Sequence, residues 1–146
     1  MFAPKDTTAV TLSYAAWLII QSPSVLSRLR AEISTVMPDP TSLPNDLSTL
    51  EALPYLTACI YETMRLFPAI PGPFPRMVPK DGLEVGGYAL PAGTIVGANA
   101  YAVHRAQPEI WGDNSEIFCP ERWVDPTADI SAMRKALYVP QAVVHF

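Results

Sequence analysis

The sequence predicts a mainly α-helical fold with a small β region. In residues 26–36, and again in residues 56–67, apolar side chains recur at the spacing of one helix face. Further along, the pair Gly86-Gly87 separates two short runs that favour strands, which is the signature of a tight β-hairpin. The chain has 146 residues, of which 49% are hydrophobic, so it is long enough to build one modest core.

Composition and charge exclude several classes of function. Ten basic and 14 acidic residues give a net charge of −4 without a basic stripe, so nucleic acid is not an expected partner. The two cysteines, Cys59 and Cys119, have no zinc-site spacing and build no disulfide framework, which favours a reducing, intracellular compartment. The apolar run 9–20 is shorter than the ~20 residues of a membrane-spanning helix, and we expect a buried core helix there.

Three helices are predicted in the first half of the chain. The first covers residues 6–21. The second begins after Ser22, with a proline at its first helical position, and its apolar face consists of Leu26, Leu29, Ile33 and Val36. The third covers residues 54–67, where Glu62 and Arg65 lie opposite an apolar face made of Leu56, Ile60, Met64 and Phe67.

The β region is predicted to follow a proline-rich crossing. Residues 68–75 contain four prolines and should be extended and kinked. Strands at 83–85 and 88–90 flank the glycine pair, and a further strand covers 94–98. Short helical turns are expected at 47–50, 103–105 and 108–111, and the pattern weakens from Pro120 onward.

Two charged motifs stand out against this background. Glu62 and Arg65 are three residues apart on a helix, so their side chains can meet. As an exposed surface pair they would contribute only about 0–1 kcal/mol. Arg122 lies in the run Pro120-Glu121-Arg122-Trp123, and if it reaches Glu62, one carboxylate accepts from two arginines and pins a loop onto a helix.

The order of the motifs along the chain is more specific than any motif alone. In sequence come Asp6-Thr7, then Glu62-x-x-Arg65, a proline-rich crossing with Arg76, Ala102-Val103-His104-Arg105 and Phe118-Cys119-Pro120-Glu121-Arg122-Trp123. From residue 3 to residue 140, this succession resembles the C-terminal half of a cytochrome P450, a heme-thiolate monooxygenase. The resemblance implies that residues 1–146 form an incomplete cytochrome P450 domain.

The resemblance implies a role for each matching charged residue. Glu62, Arg65 and Arg122 would form the family's structural salt-bridge triad behind the heme. Arg76 would bind a heme propionate, since a planar guanidinium suits a carboxylate. Considered without the family, Arg76 is an ordinary exposed loop arginine.

The resemblance also assigns the catalytic and substrate-binding positions. Asp6 and Thr7 would be the acid–alcohol pair of the oxygen-activating helix, in which the alcohol helps to relay protons. Considered alone, the same two residues are a helix N-cap. The family's substrate pocket would be lined by Ala69, Ile70, Pro73 and Phe74.

Three departures from the family pattern change these expectations. Pro4 stands where the family has a glycine in the oxygen-activating helix, and proline removes a hydrogen-bond donor there. The chain begins inside that helix, so the membrane anchor and the earlier heme-contacting helices are expected to be missing. The family's iron ligand lies in a Phe-x-x-Gly-x-Arg-x-Cys-x-Gly loop, yet no cysteine follows Trp123, and residues 141–146 are expected to be an aberrant tail. Metal ligation is expected of none of Cys59, Cys119, His104 and His145.

The expected function of the intact relative is the oxidation of a small apolar organic substrate. Heme and O2 would carry the chemistry, and an NADPH-dependent reductase would supply electrons. Intact relatives would lie at the endoplasmic reticulum membrane. Two other possibilities remain open: a non-catalytic truncated fragment with no heme chemistry of its own, and an unrelated small binding domain.

Overall fold

A computed structural model describes residues 4–39, 41 and 46–137. Its helices are α1 (Pro4–Gln21), α2 (Pro23–Ser34), α3 (Leu47–Glu51), α4 (Pro54–Leu66), α5 (Ala100–Val103), α6 (Pro108–Trp111) and α7 (Ile130–Ala136). Its strands are β1 (Pro73–Met77), β2 (Leu83–Val85), β3 (Tyr88–Leu90) and β4 (Ile95–Asn99), and a 3₁₀ helix at Pro120–Trp123 is called the 120–123 turn below. The predicted fold class, mainly α with a small β region, is confirmed.

Helix α4 occupies the centre of the fold. It packs against α1, α2, α3 and the 120–123 turn. One apolar cluster joins it to α2 through Val25, Leu29, Tyr55 and Cys59. A second cluster joins it to the C-terminal part of the described chain through Ala58, Trp111, Trp123, Met133 and Leu137.

The helix boundaries follow local sequence signals. Proline lies in the first turn of α2, α4 and α6, where its fixed φ suits a helix and its missing N–H costs nothing. Asp46 accepts from the Ser48 amide at 3.0 Å and so caps α3. Helix α1 starts two residues earlier than predicted, and α4 ends one residue earlier.

Within the described part of the chain no single helix has the length and apolarity of a membrane span. Helices α1 and α2 together meet that test, but they are bent by 110° relative to each other.

The predicted hairpin is present. Strands β2 and β3 pair antiparallel, with Leu83 opposite Leu90 and Val85 opposite Tyr88. Gly86 and Gly87 have φ values of 58° and 83°, which is the left-handed region that a two-residue hairpin turn needs.

The other sheet contains a strand that the sequence analysis missed. Strand β1 pairs antiparallel with β4, from Pro73 opposite Asn99 to Met77 opposite Ile95. The prolines argued against a strand. However, Pro73 and Pro75 are two apart, so both lack a donor on the same edge, which a strand with one neighbour tolerates. Gly97 permits the close approach, since a Cβ there would lie 3.1 Å from the Pro73 Cβ.

The C-terminal part of the described chain is more regular than predicted. Helix α7 forms where the sequence pattern is weak, and the Asp129 side chain accepts from the Ala132 amide at 2.9 Å as an N-cap. Helix α5 starts three residues before the expected turn at 103–105. The expected tail at 141–146 and His145 lie outside the described residues.

Candidate functional site: a buried charge cluster behind an apolar cavity

Glu62 lies at the centre of a buried charge cluster. Its side chain is fully buried, and its two oxygens accept five hydrogen bonds. Arg65 donates two of them, from Nε at 2.9 Å and from Nη2 at 2.8 Å. Arg122 donates a third from Nε at 3.0 Å. The structure therefore brings together the three charges that the motif analysis singled out.

The remaining two hydrogen bonds to Glu62 come from groups that the sequence analysis did not consider. The Cys119 amide donates at 3.1 Å, and the indole Nε1 of Trp123 donates at 2.8 Å. Both flank Arg122 in the 120–123 turn and its approach. The signal in the sequence is the tryptophan of the Pro-Glu-Arg-Trp run, because a buried indole N–H usually finds an acceptor.

The two arginines extend the cluster into the preceding loop. Arg65 is fully buried and also donates to three backbone carbonyls, those of His104 at 3.0 Å, Ser115 at 2.6 Å and Ile117 at 3.3 Å. Arg122 donates to the carbonyl of Trp111 and to that of Asn114 at 3.1 Å. Because both guanidiniums use several of their fixed donors, they fasten residues 104–123 to α4.

Burial of this cluster excludes the exposed surface pair that helical periodicity alone favours. On periodicity alone, Glu62 and Arg65 would lie on a solvent-facing side, opposite the apolar face, yet both are fully buried. On the apolar face, Ile60 is 41% exposed. The side of α4 that carries Glu62 and Arg65 is the packed side, and its burial is tolerated because the buried polar atoms of both side chains have hydrogen-bond partners.

The apolar face of α4 borders a cavity of about 460 Å³. Thr7, Thr8 and Thr11 of α1 form the part of its wall that carries polar side chains. The rest of the lining is almost entirely apolar and consists of Leu12, Ala15, Ile60, Met64, Pro68, Ala69 and Ile70. Such a chamber, apolar with a few polar groups, is the usual form of a site for a small organic molecule.

The other predicted site residues divide between the cavity and the surface. Thr7, Ala69 and Ile70 line the cavity, whereas Asp6 is exposed in the first turn of α1. Pro73 and Phe74 lie on β1, outside the described lining.

Arg76 also lies on β1, and its side chain is exposed. Its Nη1 donates to the Pro75 carbonyl at 3.0 Å. Within the described residues the structure therefore does not bring Arg76 to the cavity wall.

Neither cysteine lines the cavity. Cys59 is 1% exposed, and burial, followed by the neighbouring carboxylates, raises the pKa of its thiol to about 12. Burial also raises the pKa of Cys119, whose Sγ lies 3.6 Å from Glu121.

His104 is buried, and its Nδ1 lies 2.9 Å from the Arg65 carbonyl. Across the described ranges no group of three His, Cys, Asp or Glu side chains is arranged to hold a metal ion.

A second polar group fastens the 120–123 turn from the side of α2. The Tyr55 hydroxyl donates to the Glu121 carboxylate at 2.5 Å. Arg28 of α2 lies over the Tyr55 ring, 4.1 Å from its centroid, and its Nη1 is 3.7 Å from the same carboxylate. Burial and the hydrogen bond to Glu121 raise the pKa of Tyr55. Partial burial opposes ionisation of Glu121, but the hydrogen bonds that it accepts, first from Tyr55, outweigh it and lower the pKa. Glu121 thus has a structural role that its place in the Pro-Glu-Arg-Trp run does not reveal.

Comparison with known proteins decides the family. The family model for cytochrome P450 matches residues 1–140. This chain belongs to the cytochrome P450 family. The possibility of an unrelated small binding domain is therefore wrong, and the family is one of heme-dependent monooxygenases.

Curated P450 relatives match over most of this chain. Cytochrome P450 monooxygenase BOT1 of Botryotinia fuckeliana is 38% identical over 123 residues, which are 84% of this chain and 24% of that protein. Cytochrome P450 81F2 of Arabidopsis thaliana is 41% identical over 133 residues, or 91% of this chain and 26% of that protein. The chain thus spans about a quarter of the length of these relatives.

Solved P450 structures share the fold. A crystal structure described as a cytochrome P450 (CYP102L1) superposes with a TM-score of 0.71 and 30% identity, covering 80% of this chain and 25% of the other. A zebrafish cytochrome P450 structure with progesterone gives a TM-score of 0.69 and 29% identity, covering 90% of this chain and 32% of the other.

The cavity can be compared with the heme that the P450 family implies. On the α4 side, Ile60 and Met64 line the cavity with hydrocarbon and thioether groups, and this apolar wall fits the flat apolar face of a porphyrin. The three threonines lie on the opposite side, in α1. The axial thiolate is a different matter. Of the two cysteines in this sequence, Cys59 lies in α4 on the side that packs against α2, and Cys119 immediately precedes the 120–123 turn. Neither borders the cavity.

Proposed function

We propose that this chain forms one wall of the heme and substrate chamber of a P450 monooxygenase that oxidises a small apolar organic substrate. Electrons would come from an NADPH-dependent reductase. The observation that carries the proposal is the cavity between α1 and α4, which is lined by apolar residues on the α4 side and includes three threonines on the α1 side. Heme, when bound, supplies the activation of O2 and accepts the electrons.

The apolar wall selects and shields the substrate. Burial of hydrocarbon against Ile60, Met64 and Ile70 is favourable by about 25 cal/mol per Å² and leaves water no polar partner there. A substrate rich in hydrocarbon therefore fits this wall better than a charged one. Exclusion of water also strengthens every hydrogen bond made inside the chamber.

The polar side of the chamber can handle protons. Thr7 lines the cavity, and Asp6, the preceding residue, is exposed to solvent. We propose that Asp6 exchanges protons with water and that Thr7 passes them to the reacting oxygen. Thr11 donates to the Thr7 carbonyl at 2.9 Å, so its side chain is tied to the same turn.

The charge cluster has a structural role in this proposal. Glu62, Arg65 and Arg122 hold the loop at 104–123 against the back of α4, while the front of α4 forms the cavity wall. Arg76 is exposed, so its guanidinium can pair with a heme carboxylate without the cost of burying an unpaired charge. Pro73 and Phe74 would then meet substrate only where it extends beyond the described lining.

One observation favours a second candidate, a chain that has no heme chemistry of its own. Neither Cys59 nor Cys119 borders the cavity, so no thiolate of this chain is placed to ligate iron. In that case the chain still forms the chamber wall, and monooxygenase activity requires a thiolate iron ligand that neither cysteine of this chain supplies.

Heme titration separates the chamber proposal from a fold that binds no heme. Met64 lines the cavity, whereas Met77 is 71% exposed on β1, so the two methionines form a matched pair. We expect Met64→Asp to weaken heme binding at least tenfold and Met77→Asp to leave it within twofold, because only the first places a charge in the chamber. Equal heme affinity for both variants would remove the chamber proposal.

A carbon monoxide difference spectrum separates the two candidate functions. Without a thiolate ligand the reduced chain should not give the thiolate-ligated ferrous–CO spectrum. Supplying a Phe-x-x-Gly-x-Arg-x-Cys-x-Gly segment together with the preceding heme-contacting helices should give both that spectrum and turnover, and either extension alone should not. Turnover by the unmodified chain would refute the second candidate and return Cys119 to consideration.

A further inference from the structure

Helix α4 is capped at its N-terminus by another helix. Its own N-cap residue is Leu53, which offers no side-chain acceptor, and Pro54 has no N–H to donate. The next two amides, of Tyr55 and Leu56, donate to the two carboxylate oxygens of Glu32 in α2, both at 2.8 Å. One carboxylate, 23 positions earlier in the chain, thus replaces the local cap that α4 lacks.

Arg105 holds the opposite end of α4. Its Nη2 donates to the Leu66 carbonyl at 2.8 Å, in the last turn. The guanidinium is itself fixed by Glu116 at 2.9 Å and by the Tyr101 ring, whose centroid lies 3.7 Å away. An anion at the positive end of the helix dipole and a cation at the negative end are both favourable placements.

We propose that Glu32 and Arg105 are positioning residues that fix α4 along its own axis. The helix has 13 residues and is a rod of about 20 Å. It presents Met64 to the cavity on one side and Glu62 to the 120–123 turn on the other. A slide or tilt of this rod displaces both sides together, so the two caps set the distance between chamber wall and charge cluster. This inference rests on the proposed function only for the identity of the molecule that the chamber binds, and the positioning of α4 does not depend on it.

The positioning role can be measured without heme, by amide exchange followed by NMR on the full chain. The amides of Tyr55 and Leu56 report on the cap directly. The Cys119 amide and the Trp123 indole N–H report on it at a distance, because both donate to Glu62 at the other side of α4.

The test compares substitutions that remove a cap with matched ones that do not. In Glu32→Gln, which loses the charge and one acceptor, we expect exchange at all four reporters to rise about tenfold. Glu32→Asp keeps the carboxylate and should retain most of the protection. Arg105→Lys keeps a single cationic donor group but loses the planar guanidinium with its several fixed N–H donors. It should raise exchange at the distant reporters by a few-fold. The controls are Glu51→Gln and Arg30→Lys, which change exposed side chains in the same chemical way.

The reference for general stability is the Met133 amide in α7, which donates to the Asp129 carbonyl at 3.0 Å. Selective loss of protection at the four reporters, with Met133 unchanged, supports the proposal. Equal loss at Met133, or loss confined to Tyr55 and Leu56, overturns it. If Glu32→Gln leaves no amide protected, Glu32→Asp decides by the same comparison. Heme binding can fail while these results stand, so the two proposals are tested separately.

Discussion

Glu62 is the residue on which the site converges. A single buried carboxylate with five donors leaves none of its charge unpaired, and this is the condition under which a buried charge is tolerated. Two guanidiniums share it, and each also donates to backbone carbonyls of the loop at 104–123. The cluster is consequently a fastening of two chain segments, and its stability depends on every partner being present.

Replacement of Glu62 by glutamine should be strongly destabilising. Glu62→Gln leaves Arg65 and Arg122 buried without a counter-charge, which costs about 3–5 kcal/mol of the free energy of unfolding. Urea unfolding followed by circular dichroism measures it. Glu109→Gln, at an exposed position in α6, is the control and should change stability by no more than ~0.5 kcal/mol. A loss below about 1 kcal/mol for Glu62→Gln would show that the cluster is not a fastening.

The buried thiol of Cys59 should make the fold sensitive to alkaline pH. Its pKa rises from 9.0 to about 12 on folding, so above pH 9 the unfolded chain loses a proton that the folded chain keeps. Stability therefore falls as pH rises from 9 toward 12, by about 1.4 kcal/mol per pH unit from this group. Cys59→Ala should flatten the dependence, measured as urea midpoints at pH 8, 9 and 10. Cys119, whose pKa is also raised, acts in the same pH window, and an unchanged slope in Cys59→Ala would assign the effect to Cys119 instead. Tyr55, whose pKa is raised as well, adds to the slope only above pH 10.

At the scale of elements, α4 shows how one helix can serve two surfaces. Its apolar side is left to border a cavity, and its charged side is packed. The arrangement works because the polar atoms of the packed side meet donors and carbonyls at fixed positions in a loop, and that loop is far away in sequence. Hydrophobic periodicity alone assigns the sides the other way round.

The β2–β3 hairpin provides a prediction that depends on one backbone angle. Gly87 has a φ of 83°, whereas Gly72 has open space around its Cα and no left-handed φ. Gly87→Ala should therefore cost the hairpin about 1–2 kcal/mol, and Gly72→Ala should cost less than ~0.5 kcal/mol. Hydrogen exchange of the Val85 and Tyr88 amides reads out the difference. Equal protection in the two variants would contradict a strained left-handed turn.

At the scale of the whole molecule, α1 is not the buried core helix that its apolar run predicts, because most of its large apolar side chains are exposed and Leu18 is the buried one among those of residues 9–20. Trp17 is 52% exposed and Ile20 is 66% exposed, and they lie three residues apart on the same side of the helix. Exposed apolar surface of this kind is an association site in water.

The isolated chain should therefore be marginal and prone to self-association through α1. Ile20→Lys should shift the sedimentation profile toward monomer, because it places a charge in the apolar surface. Leu47→Lys is a matched control, since Leu47 is also 66% exposed but lies on α3. A soluble monomer with a sharp cooperative thermal transition would contradict this expectation.

The sequence by itself determined the local structure and the family. Proline at the first helical position, the Gly86-Gly87 turn and the spacing from Glu62 to Arg65 each depend on neighbours within a few residues, so they can be read along the chain. The order of the motifs over residues 3–140 likewise needs no coordinates, and the family match over residues 1–140 agrees with it.

Only the tertiary structure decided which groups meet. The bonds from Trp123 and Cys119 to Glu62 join residues about sixty positions apart, and the cap of α4 by Glu32 joins residues 23 apart. Strand β1 exists because β4 pairs with it, in spite of its prolines. Each of these contacts depends on where distant segments are packed, and hydrogen-bond energies favour them only at a separation that the fold sets. For that reason the buried side of α4 could be identified only from the folded chain.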